Sequence, residues 1–360
     1  MSRPTPAPLV DLLKVVASQL IVWHHLAFYG PMSDVVHPHA PGLIDWLYDQ
    51  ARLAVQVFLV VGGFLAARSL LPRLGEPPRD LGWRGAGRLI WRRYVRLALP
   101  LVFALAAAVA AAAVARTLID NPSIPDAPTL LQLAANLALL HDWIGQDALT
   151  AGLWYVAIDL HLYVLWVGVV ALRAPLARRG LHPGSFALLA GGGLMVASMF
   201  VFNRDPELDA YAPYFFGAYG LGVFAQWIST RPRHEGWPLL LAAVVLAALA
   251  VEWRDRLLVA GLTALALAWW ADGARLRRWA RRPAVAALSR HSYAVFLMHY
   301  PVMLAVGALV GGLWPDSALA NGLGMASAWA LALLAGAMLH RLIEAPQTGP
   351  RPLQVSASTP

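Results

Sequence analysis

Long apolar runs separated by short polar segments are the feature that most limits how this chain of 360 residues can fold. A helix of about 20 apolar residues crosses the hydrocarbon core of a bilayer, and in lipid only helices or closed barrels satisfy the backbone hydrogen bonds. The runs predict an all-α integral membrane protein with about ten transmembrane helices. They lie near residues 9–29, 54–71, 97–117, 152–172, 185–202, 213–229, 238–251, 257–271, 292–313 and 319–343.

The composition agrees with a membrane protein and excludes several other classes. Apolar types make up 59% of the chain and charged types only 13%, whereas soluble domains carry about 25% charged residues. The absence of cysteine excludes disulfide-rich secreted domains and thiolate nucleophiles. The net charge of +8 does not indicate a nucleic-acid partner, because the basic residues are spread over loops at one membrane face and lack a separate soluble domain.

The distribution of charge predicts the orientation of the helices. With ten spans and a cytoplasmic N-terminus, 23 of the 28 Lys and Arg residues fall on the cytoplasmic side, as the positive-inside rule requires, and the C-terminus is cytoplasmic as well. The loop carrying Arg254 and Arg256 is the exception. The apolar stretch from Thr129 to His141 is too short to span, so we expect it to be interfacial or re-entrant.

The chain is predicted to form a single transmembrane domain over residues 1–346, followed by a disordered cytoplasmic tail over 347–360. The first span is not expected to be a cleaved signal peptide. Asp11 and Lys14 interrupt its apolar region, and no small-residue cleavage pattern follows.

Ionisable residues inside the spans are the strongest functional signal, because each costs about 2.5–3.5 kcal/mol near the bilayer centre. In the first span, Lys14 and His25 project from one helix face about 16 Å apart, with Lys14 nearer the cytoplasm. His24 points about 100° away around the helix. Snorkelling of Lys14 and interfacial anchoring of the histidines are the alternative interpretations.

The start of the third span carries a face of arginines. Arg88, Arg92, Arg93 and Arg96 follow one another at spacings that place them along the same side of a helix. The positive-inside rule alone accounts for Arg88. Arg93 and Arg96 lie at the edge of the apolar run, where two guanidinium groups would suit bidentate binding of phosphate.

Three later spans also contain polar residues. Asp159 and His161 lie midway along the fourth span, where Asp159 could hold a positive partner such as Lys14 or a histidine, orient a catalytic imidazole, or form a structural ion pair. His299 lies about two turns into the ninth span. Glu344 lies at the cytoplasmic end of the tenth. Packing or capping is the alternative for His299 and Glu344.

The order of these motifs resembles the acyltransferase-3 family, bacterial multi-spanning O-acyltransferases that modify cell-surface sugars. Lys14 and His25 match its Arg/Lys-x10-His pattern, and the likeness runs over about residues 14–346. The other matching blocks are VQVFLVVGGFL at 55–65, RRYVRLALP at 92–100, LWYVAIDLHLYVL at 153–165, SYAVFLMHYPV at 292–302 and IEAP at 343–346. The chain departs from the pattern with Lys14 where Arg is commoner, Gly62 where Ser is usual and Asp159 where Glu is usual.

The resemblance implies transfer of an acyl group, most often acetyl, from cytosolic acyl-CoA to a hydroxyl of a glycan or lipid-linked glycan at a bacterial inner membrane. It also implies no metal, and we expect no SGNH-type esterase domain. Glycan-assembly proteins and membrane lipids are further expected partners.

A mechanism follows from combining this chemistry with the layout of the spans. An imidazole with a pKa near 6.5 suits removal of a hydroxyl proton at neutral pH, so His25 is the expected general base, or else a transient acyl carrier. Arg93 and Arg96 are expected to bind CoA phosphates, and Lys14 to bind phosphate or polarise the thioester carbonyl. Asp159 would orient or neutralise one of these groups. Trp143 and Trp154 could stack on a sugar, although tryptophan is also an ordinary anchor at the membrane interface.

Two other functions are compatible with the pattern. A secondary transporter would also have about ten spans and buried ionisable groups, but it predicts inverted repeats, and no sequence repeat is visible. A non-catalytic partner in a glycan-assembly complex would not require His25 or the arginine pair.

Overall fold

The computed structural model describes residues 7–71, 81–173, 175, 183–231, 236–271 and 273–348, and these residues form helices joined by turns, without strands. A π-helical turn at His340–Glu344 joins the last two helices. The α-helices are α1 (Pro8–Phe28), α2 (Met32–Val36), α3 (Pro41–Asp49), α4 (Ala54–Leu70), α5 (Gly82–Leu118), α6 (Leu130–Ala138), α7 (Leu153–Ala171), α8 (Pro183–Phe200), α9 (Ala212–Ser229), α10 (Trp237–Val251), α11 (Asp255–Trp270), α12 (Ala274–Ala280), α13 (Pro283–Leu313), α14 (Ala318–Leu339) and α15 (Ala345–Thr348). Short 3-10 segments occur at His37–His39, Ala51–Leu53, Asp142–Ile144, Phe202–Arg204 and Pro206–Leu208.

In the described part of the chain, seven helical stretches are long and apolar enough to cross a membrane. They include α1, α4, α5, α7, α8, α13 and α14, which match the first five and the last two predicted spans. The other three predicted spans are also helical, as α9, α10 and α11, but contain only 18, 15 and 16 residues and do not belong to the seven. The all-α membrane fold is therefore confirmed, while the count of ten and the cytoplasmic termini stay predictions.

The helix boundaries follow local sequence signals. Pro8, Pro41 and Pro283 stand in the first turns of α1, α3 and α13, where the missing N–H costs nothing and the fixed φ favours a helix. Helix α5 is longer than predicted, because it begins at Gly82 instead of residue 97. The arginine face is consequently part of one continuous helix. At the C-terminus, α15 continues to Thr348, and residues 349–360 of the predicted tail lie outside the described residues.

The stretch predicted to be interfacial or re-entrant forms the nine-residue helix α6. The Thr129 side chain accepts a hydrogen bond from the Gln132 backbone N–H at 3.1 Å and caps its start. Nine residues rise about 14 Å, well short of a span of about 30 Å. Helix α6 therefore cannot add a crossing.

The loop that carries Arg254 and Arg256 uses these arginines to hold helix ends together. Arg254 is buried and donates to Asn203 Oδ1 at 2.9 Å and to the Met199 carbonyl at 2.7 Å. Arg256 lies over the Tyr214 ring, 5.1 Å from its centroid. These contacts join the start of α11 to the ends of α8 and α9. Both guanidinium groups therefore contribute to helix packing in this loop.

Glycines allow α4 and α9 to pack with their backbones in contact. A Cβ added to Gly222 would overlap the Val60 carbonyl oxygen, and one added to Gly63 would overlap the Tyr219 carbonyl oxygen. Small residues at helix crossings commonly permit such close approach in membranes, where no hydrophobic effect drives helices together. The close contact also places the Tyr219 ring beside Gly62 of α4, where an added Cβ would lie 3.6 Å from Tyr219 and 3.2 Å from Asp159 Oδ1.

We predict that Gly222→Ala lowers stability by about 1–3 kcal/mol, because the new methyl group meets a backbone carbonyl that cannot rotate away. The matched control is Gly193→Ala on α8, where a Cβ meets no atom within 4 Å and the helix should gain about 0.5–1 kcal/mol. Thermal unfolding of both variants in detergent measures the difference. Equal midpoints would contradict the close α4–α9 contact.

Candidate active site

Two cavities lie along α1, one toward each of its ends. The larger, which we call the His25 cavity, has a volume of about 820 Å³ and is lined by His24 and His25. The smaller, which we call the arginine cavity, has a volume of about 230 Å³ and is lined by Lys14, Arg93 and Arg96. The structure places Lys14 and His25 in two separate cavities.

His25 forms a hydrogen-bonded chain with a second histidine. Its Nδ1 lies 2.7 Å from Nε2 of His299, and the two ring planes are inclined by 13°. Nδ1 of His299 lies 2.5 Å from the Phe296 carbonyl oxygen one turn earlier on α13. Both histidines are buried.

The partners of this chain assign the protons on both rings. A carbonyl oxygen only accepts, so Nδ1 of His299 carries a proton. Because charging a buried imidazole is costly, we take the rings as neutral, and Nε2 of His299 is then an acceptor. His25 Nδ1 must donate to it. The remaining nitrogen, Nε2 of His25, consequently keeps its lone pair, as a general base requires.

His24 lines the same cavity but is held differently. Its Nδ1 lies 3.1 Å from the Leu47 carbonyl of α3, and its ring packs near Phe28 and Tyr48. His25 instead connects through His299 to Phe296, which also lines the arginine cavity. Of the two neighbouring imidazoles, His25 is therefore the one linked to both cavities.

The arginine cavity carries an excess of positive charge. Four basic residues, Lys14, Arg93, Arg96 and Arg290, line it together with Asp159 and Glu344. Lys14 Nζ donates to the Ser289 carbonyl at 2.9 Å. Among the described residues, the Arg96 guanidinium has no hydrogen bond or ion pair. The cavity is therefore suited to an anion.

Asp159 pairs with Arg93. The Oδ2 atom lies 2.5 Å from Arg93 Nη2, and the Asp159 side chain is only 9% exposed. Gly62 makes room for this pair, since an added Cβ would lie 3.2 Å from Asp159 Oδ1. Asp159 does not contact His25, so the residue that orients the imidazole is His299. The ion pair also occupies part of the Arg93 fork, which leaves Arg96 as the freer of the two predicted phosphate ligands.

Several lining residues were not among those predicted from the sequence. Arg290 and His340 line the arginine cavity, and His340 Nδ1 lies 2.6 Å from Glu344 Oε2 across the π-helical turn. Tyr155 and Phe296 line both cavities. A π-turn at the end of a long helix is common at functional sites. Aromatic residues in an apolar span, by contrast, carry no sequence signal that separates a cavity wall from ordinary packing.

Of the other polar and aromatic positions singled out in the sequence, Trp154 lines the His25 cavity. His161 packs against Trp143 with ring centroids 4.6 Å apart, and Trp143 Nε1 donates to the Ala210 carbonyl. Neither His161 nor Trp143 lines one of the two cavities described above.

Comparison with known proteins identifies the family of this chain. The family model described as an acyltransferase domain, family 3, matches residues 8–340, nearly the whole chain. The chain belongs to this family of membrane acyltransferases. It is also 25% identical over 193 residues to a Caenorhabditis elegans protein named "Regulator of hypoxia-inducible factor 1". That match covers 50% of this chain but only 37% of the worm protein. No solved structure matches the chain.

We predict that Asp159→Asn lowers stability by about 1–3 kcal/mol, because it leaves the partly buried Arg93 guanidinium without its counter-charge. The control is Asp45→Asn, which breaks the exposed His37–Asp45 pair and should cost less than about 1 kcal/mol. Thermal unfolding in detergent compares the two. Equal losses would show that the Arg93–Asp159 pair is no stronger than a surface ion pair.

Proposed function

We propose that this protein is an O-acyltransferase of a bacterial inner membrane, which moves an acyl group, acetyl in the first instance, from cytosolic acyl-CoA to a hydroxyl of a cell-surface glycan or its lipid-linked precursor. The observation that carries the proposal is the position of His25. His25 lines one cavity and its Nδ1 is engaged by His299, while a second cavity with excess positive charge shares the lining residues Tyr155 and Phe296 with the first.

The arginine cavity supports binding of the donor. Acyl-CoA carries several phosphates, and guanidinium groups bind phosphate through parallel hydrogen bonds. Arg96 and Arg290 are the freest guanidinium groups there, and Arg93 would contribute the part of its fork that Asp159 does not occupy. Lys14 would add a point charge, which could contact a phosphate or the thioester carbonyl oxygen.

The His25 cavity supports binding of the acceptor. Its volume of about 820 Å³ is large enough for sugar rings, and Tyr48, Trp154 and Phe215 supply aromatic faces on which such rings stack. Asp49 and Arg52 add polar groups at the same cavity, which could hydrogen-bond to hydroxyls. The hydroxyl of the acceptor would therefore meet the His25 imidazole in a partly apolar cavity.

The chemistry needs only proton transfer and one bond exchange. Nε2 of His25 takes the proton from the acceptor hydroxyl, and that oxygen forms a bond to the thioester carbonyl carbon. The carbon–sulfur bond breaks, and the CoA thiolate takes the proton back from His25. The products are an O-acyl ester and free CoA. While His25 is an imidazolium, its Nδ1–H donates a charge-assisted hydrogen bond to His299.

We predict that His25→Ala lowers acetyl transfer from labelled acetyl-CoA by about 10²- to 10⁴-fold, the usual contribution of a general base. His24→Ala, compared at matched expression in membranes, should retain most of the activity, because the His24 ring bonds to the Leu47 carbonyl of α3 and is not part of the hydrogen-bonded chain from His25 through His299. The same assay includes His299→Ala and His299→Gln. Glutamine keeps an acceptor for His25 Nδ1–H, so it should recover part of kcat with an unchanged KM for acetyl-CoA.

Undiminished transfer by His25→Ala would exclude the proposed base. If His24→Ala instead abolished transfer, the adjacent imidazole would be the base. Equal loss in both His299 variants would indicate that His299 serves packing alone.

We predict that Arg96→Gln raises the KM for acetyl-CoA by about 10- to 100-fold, because it removes a charge-assisted hydrogen bond to phosphate worth about 1.5–3 kcal/mol. Arg92→Gln is the matched control, since Arg92 lies on the same helix, is exposed and does not line the arginine cavity. Saturation kinetics in membrane vesicles measure both values. An unchanged KM in Arg96→Gln would remove this residue from the donor site.

A further inference from the structure

The wall between the two cavities consists of aromatic side chains. Tyr155 and Phe296 line both cavities, with ring centroids 5.8 Å apart and planes inclined by 73°. Phe58 packs on Tyr155 from α4 at 5.9 Å and lines the arginine cavity. We call Phe58, Tyr155 and Phe296 the aromatic partition. Helices α4, α7 and α13 each contribute one ring.

Phe296 is held in this wall by an unusual neighbour. Its ring lies against the backbone of Gly152, where an added Cβ would come within 2.5 Å of Phe296 Cζ. Gly152 has a φ of +76°, which an L-residue rarely adopts, so the site strongly favours glycine. The backbone carbonyl of Phe296 also accepts from His299 Nδ1. Phe296 thus forms part of the wall with its side chain, and its backbone carbonyl helps to fix which nitrogens of His299 and His25 carry protons.

The position of the partition creates a requirement for catalysis, which rests on the proposed function. Phosphates bound at the arginine cavity and a base in the His25 cavity can act on one thioester only if the acyl end of the donor passes the wall. Because Tyr155 and Phe296 are the residues that line both cavities, the shortest route runs between their rings.

We propose that Tyr155 and Phe296 form the passage through which the acyl thioester reaches His25, and that their rings close it when no donor is threaded. The Phe296 ring can turn about its two side-chain bonds while the backbone carbonyl that holds His299 stays in place. Closure keeps the acceptor in the His25 cavity, so that the thioester meets the acceptor hydroxyl only after it has passed the rings and lies beside His25.

The chain has no cysteine, so one introduced thiol can report on the partition without any activity assay. Ser292→Cys places a thiol in the arginine cavity, and Gln56→Cys places one in the His25 cavity. A membrane-impermeant methanethiosulfonate reagent is applied to vesicles of both orientations, and the face from which Gln56→Cys reacts is identified. From that face, Ser292→Cys should stay unmodified.

Opening the partition should expose the reporter. We expect Phe296→Ala to raise the rate at which Ser292→Cys is modified from the Gln56 face by at least about tenfold. Tyr155→Ala removes the ring that α7 contributes to the same wall, so the test does not depend on one variant. Size-exclusion profiles show whether each variant is folded. If neither variant changes the modification rate, the partition is not the barrier between the cavities.

A second arm tests the passage in catalysis. Phe296→Trp enlarges the ring and should lower kcat for acetyl transfer by at least about tenfold, while the affinity for free CoA stays as in the wild type. Phe296→Leu, which is smaller, should not lower kcat to the same degree. Equal kcat in wild type and Phe296→Trp would overturn the passage. Absence of transfer by the wild type would instead overturn the proposed function, and the thiol-modification result would still decide whether the partition separates the cavities.

Discussion

The cost of placing ionisable side chains in lipid is the constraint on which the structure depends. Each such group in the spanning helices must find a partner or a polar cavity. The structure meets this requirement in three ways. Lys14 donates to a backbone carbonyl, Arg93 pairs with Asp159, and His25 donates to His299. These contacts draw α1, α5, α7 and α13 together around two cavities, so the groups that lipid would exclude become the linings of a site.

Close packing of glycine-rich helices gives this arrangement its shape. Gly63 and Gly222 bring α4 and α9 into backbone contact, and Gly336 does the same for α14 against Val295 of α13. Helix α13, fixed in this way, carries Phe296 and His299 on successive turns. The Tyr155 and Phe296 rings, which pack against each other, line both cavities. The same packing thus supports the base, the donor cavity and the wall that separates them.

Much of the fold could be predicted, because hydropathy in lipid is a strong and local signal. Every predicted span coincides with a helix, although α9, α10 and α11 are shorter or less apolar than the seven clear spans. Helix α9 can depart from the pattern because most of its residues are buried by other helices and do not face lipid. The site was predicted in part. Polar residues on α1 and α5 were visible as violations of the apolar pattern, whereas Phe296 and Tyr155 were not.

By itself, the sequence determined that this chain is an all-helical membrane protein and that His25 and Lys14 lie toward opposite ends of one helix. It also determined that arginines cluster near the start of the third predicted span. Helical periodicity and the cost of charge in lipid are enough for those conclusions. Only the tertiary structure decided that His299 is the partner of His25, that Asp159 pairs with Arg93, and that two aromatic rings divide the cavities. These relations join residues far apart in the chain, and they depend on helix rotations and crossing points that no local pattern encodes.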